Sequence, residues 1–172
     1  MSAPGDGGSA IGELAYRPAD HDEGPAIAGV WLRSRAASFP QIPAPVHSAE
    51  EVVRWFSEVV LPYSETWVVA TPAGQIIGLL VLDDACLDQL YIEPGWTGRG
   101  IGSRLVSLAK RRRPDGLDLW VFLSNTRGRK FYEAHGFVVV ETTDGDNEEG
   151  APDARYAWAP EPGTICGSPQ RS

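Results

Sequence analysis

The chain is poor in the residues that build disulfide frameworks, metal clusters and membrane anchors. Its cysteines are Cys86 and Cys166 alone, too few for a disulfide framework or a cysteine-ligated metal. A reduced, cytoplasmic setting is therefore expected, with no metal. No apolar run approaches the length of a membrane span. The stretch from Met1 to Ala10 has neither the basic nor the apolar region of a secretory leader. Positive charge is scarce too: 15 Lys and Arg stand against 23 Asp and Glu, a net charge of -8, which disfavours nucleic acid as a general partner. What remains is globular, with 42% hydrophobic and 22% charged residues in 172, enough for one packed domain. Residues 1–12 and 160–172, rich in Gly, Ser and Pro, are expected to be flexible tails around a domain at 13–159.

The few bases are not spread evenly. From Arg99 to Lys130 nine of them face only Asp115 and Asp118, a local charge of +7. An acidic protein with one basic region suits a small polyanion, although Lys110–Arg113 would equally serve as a solvated helix end. At the start of this region the strand-like run Leu87–Ile92 reaches a turn at Pro94-Gly95, then Gly98, Gly100 and Gly102 alternate with other residues before a helix. Glycines let a ligand approach the backbone, and a helix start offers free N–H groups and positive dipole charge. Together they make a phosphate cradle, the alternative being an ordinary glycine-rich connector. No Gly-Lys-Ser/Thr follows, which excludes a Walker loop, and Ser103 and Leu105 stand where a dinucleotide fingerprint needs its third glycine.

Periodicity places the other elements. Glu13–Arg17 reads as a first strand, and Ile27, Val30 and Trp31 lie at helical spacing after Pro25. Ser48 to Glu51 is a capping box for a helix ending before Pro62. Trp67–Thr71 and Ile76–Leu82 form a hairpin across Pro72-Ala73-Gly74. After Leu87–Ile92 come a helix over Gly102–Arg113, a strand at Leu117–Leu123, a helix capped by Asn125 and closed by Gly136, and strands at Phe137–Glu141 and Arg155–Trp158. This order predicts an α/β fold, a mixed sheet with helices on both faces.

Two motifs carry a resemblance. Thr97-Gly98-Arg99-Gly100-Ile101-Gly102 is similar to the acyl-CoA pyrophosphate loop Gln/Arg-x-x-Gly-x-Gly/Ala of the GNAT N-acetyltransferase superfamily, with threonine at the first position. Asn125-Thr126-Arg127-Gly128-Arg129-Lys130-Phe131-Tyr132, continuing to Gly136-Phe137, is similar to that family's Asn-x-x-Ala-x-x-Phe-Tyr-x-x-x-Gly-Phe, with Gly128 for the alanine. The chain resembles the family from about Glu13 to Trp158. The resemblance implies a GNAT-type, mostly antiparallel sheet of six to seven strands. It also implies acetyl-CoA as co-substrate, held by Leu90, Tyr91, Ile92, Thr97, Gly98, Arg99, Gly100, Ile101, Gly102, Ser103, Arg104, Asn125 and Arg129. Spacing puts Asn125, Arg129 and Tyr132 on one helix face, although Arg129 equally suits solvent.

By the same resemblance Tyr132 is the general acid that protonates the departing thiolate, a role a phenol protonated at neutral pH can fill. The base is open among Asp88, Glu148 and Glu149. Cys86 lacks a neighbouring histidine in sequence and reads as a packing residue. The acidic stretch Asp144–Asp153 is expected to line the acceptor groove, or else to be a solvated hairpin tip. The implied activity is direct acetyl transfer to a primary amine, first a small molecule's. The alternatives are a protein N-terminus or lysine, or a non-catalytic acyl-CoA-binding module. A homodimer is compatible with such a fold.

Overall fold

The computed structural model describes residues 13–160. The tail expected at 1–12, and the one at 160–172 beyond Pro160, lie outside the described residues. The chain runs β1 (Ala15–Pro18), α1 (Gly24–Ala37), α2 (Ala49–Trp55), a π turn (Phe56–Val60), α3 (Leu61–Tyr63), β2 (Glu65–Ala70), β3 (Ile76–Asp83), β4 (Cys86–Ile92), α4 (Ile101–Arg112), β5 (Leu117–Phe122), α5 (Thr126–Ala134), β6 (Val138–Thr143) and β7 (Asp153–Trp158). The strands form one sheet of seven in the order β1-β2-β3-β4-β5-β7-β6. Every neighbouring pair is antiparallel except β4 and β5. The expected element order and sheet type are those found.

Hydrophobic alternation decides what covers each face. Val68, Leu79 and Val81 pack against Ile27, Trp31, Val52 and Phe56 of α1, α2 and the π turn. Leu80, Leu82, Leu119 and Tyr156 pack on the other face with Leu105 and Val106 of α4 and Phe137, and Phe131 and Tyr132 of α5 close over that cluster. The central strand β3 is buried along both faces from Ile76 to Leu82, which is why it reads as one apolar run.

The capping box is complete: the Ser48 hydroxyl accepts from the Glu51 N–H at 3.2 Å, and the Ser48 N–H donates to the Glu51 carboxylate at 2.7 Å. The helix does not stop before Pro62, however, but continues through Tyr63. The Leu61 N–H reaches back to the Phe56 carbonyl, five residues away. That wider turn makes room where a proline ring would otherwise collide with the preceding turn. No helix among the described residues is long and apolar enough to cross a membrane.

Candidate active site

The one parallel junction of the sheet barely forms. β4 and β5 share the single Cα pair Cys86↔Asp118, supported by the Asp118 N–H donating to the Ala85 carbonyl at 3.0 Å. Beyond it β4 stays with β3 to Ile92, while β5 follows β7. The strands splay, and a cleft of about 410 Å³ opens between Leu87–Ile92 and Leu119–Phe122, with Asn125, Phe131 and Tyr132 also lining it. Both inner strand edges therefore present main-chain groups that no partner strand takes up.

Register adds a second irregularity. Val81 pairs with Gln89 and Leu82 with Leu87, so Asp88 is a bulge with no partner in β3. Leu90 and Ile92 pack toward α4 and α5, and Tyr91 packs toward α1. Asp88 itself lines the cleft. Desolvation, with help from the like charge of Asp83, raises its carboxyl above the ordinary range against the opposing Gln89 hydrogen bond.

At one end of the cleft stands the start of α4. Gly98 and Gly100 have φ of 75° and 80°, left-handed backbone that a branched residue would not adopt readily. The first amide to close the helix is that of Arg104, onto the Gly100 carbonyl at 3.1 Å. The N–H groups of Ile101, Gly102 and Ser103 thus have no partner within the helix. Around a methyl group built on Gly100 no protein atom lies within 4 Å, so the cradle is roomy on the side that a side chain would fill. Gly102 serves packing instead. A methyl there would lie 3.2 Å from the Phe131 ring, so glycine lets α4 and α5 meet. Thr97, Gly98, Gly100, Ile101, Gly102 and Ser103 all line the cleft.

The three arginines expected among the cofactor-binding residues each have a partner within the chain. Arg99 lies 4.7 Å above the Trp96 ring and donates to the Gly95 carbonyl. Arg104 lies 4.4 Å above Tyr16. Arg129 donates from Nε to the Tyr156 hydroxyl at 3.1 Å and from Nη1 to the Leu123 carbonyl at 3.3 Å. It braces α5 against β7 rather than lining the cleft.

The α5 start is organised by Asn125, whose Oδ1 accepts the Gly128 N–H at 3.0 Å. A methyl on Gly128 would lie 2.4 Å from the Asn125 amide nitrogen. Glycine at 128 is what lets that amide fold over the first turn. Tyr132, one turn further on, packs edge-on to Phe131 and Phe137. Burial, then the neighbouring Tyr91, pushes its hydroxyl above the usual phenol range, so it stays protonated at neutral pH. Burial and the carboxylates of Asp88, Asp118 and Asp83 push the Cys86 thiol up to about 11, which leaves it no thiolate for nucleophilic work.

A second cavity, of about 390 Å³, lies on the α1 side of β4 and shares Gln89 with the first. Trp31, Arg35, His47, Trp55, Glu148 and Glu149 contribute to its wall. Arg35 is 6% exposed, lies 4.6 Å from the Trp31 ring, and holds the Glu149 carboxylate at 3.2 Å and the Pro43 carbonyl at 2.8 Å. Glu148 reaches His47 at 3.3 Å. Asn147 stiffens the loop, donating to the Ala151 carbonyl at 2.7 Å and to Asp153 at 3.0 Å. The acidic stretch is thus folded onto α1 and the loop leading into α2. Arg35, Trp55 and Gln89 were not among the candidate residues. The one trace of Arg35 in sequence is its place four residues after Trp31, on the buried stripe of α1.

With this geometry in view, comparisons agree on one class. Residues 62–139 match the model of the acetyltransferase (GNAT) domain family. Peptidyl-lysine N-acetyltransferase YjaB of Salmonella typhimurium is 32% identical over 135 residues, covering 78% of this chain and 90% of that protein. Its Escherichia coli counterpart is 30% identical over the same length. The solution structure of apo-form YjaB from Escherichia coli superposes with a TM-score of 0.69 at 26% identity, over 84% of this chain and 97% of that one. The fold is also that of the PaiA N-acetyltransferase from Thermoplasma acidophilum in complex with coenzyme A, at a TM-score of 0.62, 18% identity and coverage of 85% and 98%. The chain belongs to the GNAT acetyltransferase family and is an acyltransferase.

Proposed function

We propose that this chain transfers the acetyl group of acetyl-CoA to the side-chain amine of a lysine in a protein or peptide. The observation that carries the reading is the β4–β5 cleft, with free amides at the α4 start and a second cavity that shares Gln89 in its wall. The α4 amides and the left-handed glycines suit a diphosphate, and the open strand edges suit the amide-rich arm that follows it. The neutral amine attacks the thioester carbonyl, the C–S bond breaks, the amine loses a proton, and the sulfur leaves as the thiol.

Tyr132 gives its hydroxyl proton to the departing sulfur, and the proton shed by the amine restores the phenol. The desolvation that makes this phenol hard to ionise also makes a thiolate in the same cleft more basic, so donor and acceptor rise together. Among the candidate bases Asp88 fits best. Its carboxyl is raised toward the working pH and lines the cleft, whereas Glu149 is held by Arg35 and Glu148 by His47. Those two carboxylates are better placed to attract a cationic side chain between the Trp31 and Trp55 walls. This shape suits a butylammonium, and the relatives are named for peptidyl-lysine.

The test is CoA release from acetyl-CoA with lysine peptides beside a panel of free amines. Higher kcat/KM with peptides supports the lysine acceptor. Higher values with small amines favour a small-molecule acceptor, a reading supported by the Arg35–Glu149 and His47–Glu148 contacts in the cavity wall. CoA binding without release from any acceptor would leave only a non-catalytic module.

A further inference from the structure

Beside the cradle, the hydrogen-bond directions of one small cluster can be worked out in full. Ser103, the third residue of α4, lines the cleft, and its hydroxyl lies 3.1 Å from Nε2 of His135. The other ring nitrogen, Nδ1, lies 2.7 Å from the Phe131 carbonyl. A carbonyl oxygen only accepts, so Nδ1 carries a hydrogen. In the neutral ring Nε2 is then the lone-pair nitrogen. The Ser103 hydroxyl has to spend its hydrogen there, turning bare lone pairs toward the cradle. In the imidazolium ring Nε2–H donates to Ser103 Oγ instead, and the serine hydrogen is released. A diphosphate offers acceptors only, so it selects the second arrangement.

We propose that His135 is a positioning residue for the cofactor's diphosphate, acting through the Ser103 hydroxyl, and that diphosphate binding takes up a proton on its ring. This rests on reading the α4 start as the diphosphate site. The surroundings hold the ring in place. His135 caps the C-terminal end of α5, where the helix dipole favours a cation. Phe131 of the same helix packs 4.5 Å from the ring. From α4 the Lys110 ammonium sits on the His135 carbonyl, a cation that opposes protonation, and it is shared with the Trp158 ring. The histidine–carboxylate pairs among the described residues belong to His47, so no ion pair competes for the His135 ring there.

The experiment is calorimetric titration with dephospho-CoA between about pH 5.5 and 8.5. This ligand keeps the diphosphate but lacks the 3′-phosphate, whose own titration would interfere. Repeating it in buffers of different ionisation heat counts protons. The expected result is net proton uptake and affinity that falls roughly tenfold as pH rises, the worth of one hydrogen bond to a charged group. Ser103→Ala, at an exposed position, should bind at every pH about as weakly as the native protein does at high pH, with no uptake. A flat native profile without uptake overturns the inference. So does a slope that Ser103→Ala leaves intact. If dephospho-CoA does not bind at any pH, the cradle reading fails and takes this inference with it.

Discussion

The two sides of β4 are built by different means. On the α4 and α5 side the site is local. Gly98 to Ser103 form the cradle within one turn, Asn125 caps its helix through a residue three positions on, and Tyr132 follows on the same helix. On the α1 side the site is assembled across the chain. Trp31 Nε1 donates to Gln89 at 2.9 Å over 58 positions, Arg35 meets Glu149 over 114, and His47 meets Glu148 over 101. The local half rests on backbone conformation, with left-handed glycines at 98 and 100. The assembled half depends on particular side-chain pairs, so it is where a family of this fold can change acceptors without disturbing the cofactor.

The sharpest way to break the comparison is Gly100→Val. At φ of 80° a β-branched residue is strained, and its side chain would enter the cradle. We expect acetyl-CoA affinity, measured by calorimetry, to fall by two to three orders of magnitude, roughly the worth of backbone strain plus lost contacts. The amine KM should hardly move. Equal damage to both would mean that the two halves are not separable.

Next comes Tyr132→Phe, at the junction. Loss of the hydroxyl should lower kcat about a hundredfold, as for other general acids, with acetyl-CoA affinity little changed. An unaffected kcat would remove Tyr132 from the chemistry. Asp88→Asn probes the same junction. Because its carboxyl is raised, the acid limb of the kcat/KM profile should lie above the ordinary carboxylate range, and the asparagine variant should lose that limb along with activity.

What could be read from sequence follows the same division. The strands and helices, the capping box and the glycine turn into α4 were legible because each is a short-range pattern with a local cause. The helix through Pro62 was not, because the π turn that accommodates the proline leaves no composition mark. Nor was the bulge at Asp88, since alternation in β4 gives no sign of where β3 drops a partner. The basic cluster marked the segment that begins at the α4 start. Where its arginines turn was not legible: Arg99, Arg104 and Arg129 meet ring faces and carbonyls close by. Arg35 was invisible for the opposite reason: its partner lies in a loop that only the folded sheet brings near.

A smaller effect is expected from breaking that pair. Arg35→Met leaves Glu149, 14% exposed, without its cation. Breaking one side of a buried pair costs about 3 kcal/mol, which a shift in urea midpoint would show. Adding Glu149→Gln should recover much of that loss, because the stranded carboxylate is gone. The recovery should restore stability without restoring amine KM, which separates holding the loop from attracting the acceptor. Acetyl-CoA affinity should stay within a few-fold throughout.

The smallest effect is expected at Glu148, and it is the most discriminating for the acceptor. Its side chain is 69% exposed and its partner His47 is 53% exposed, so the contact adds little to folding. Its remaining use is the field it sets at the mouth of the second cavity. Glu148→Gln should therefore leave the urea midpoint unchanged and raise the KM for a cationic amine roughly two- to threefold, an effect that fades as added salt screens it. A neutral competing ligand of the same shape should show no such change. If KM is unmoved at low salt, in Glu148→Gln and in the double variant with Glu149→Gln alike, the acidic loop does not attract the acceptor. Its carboxylates would then serve only to fasten the loop to α1 and to the segment before α2.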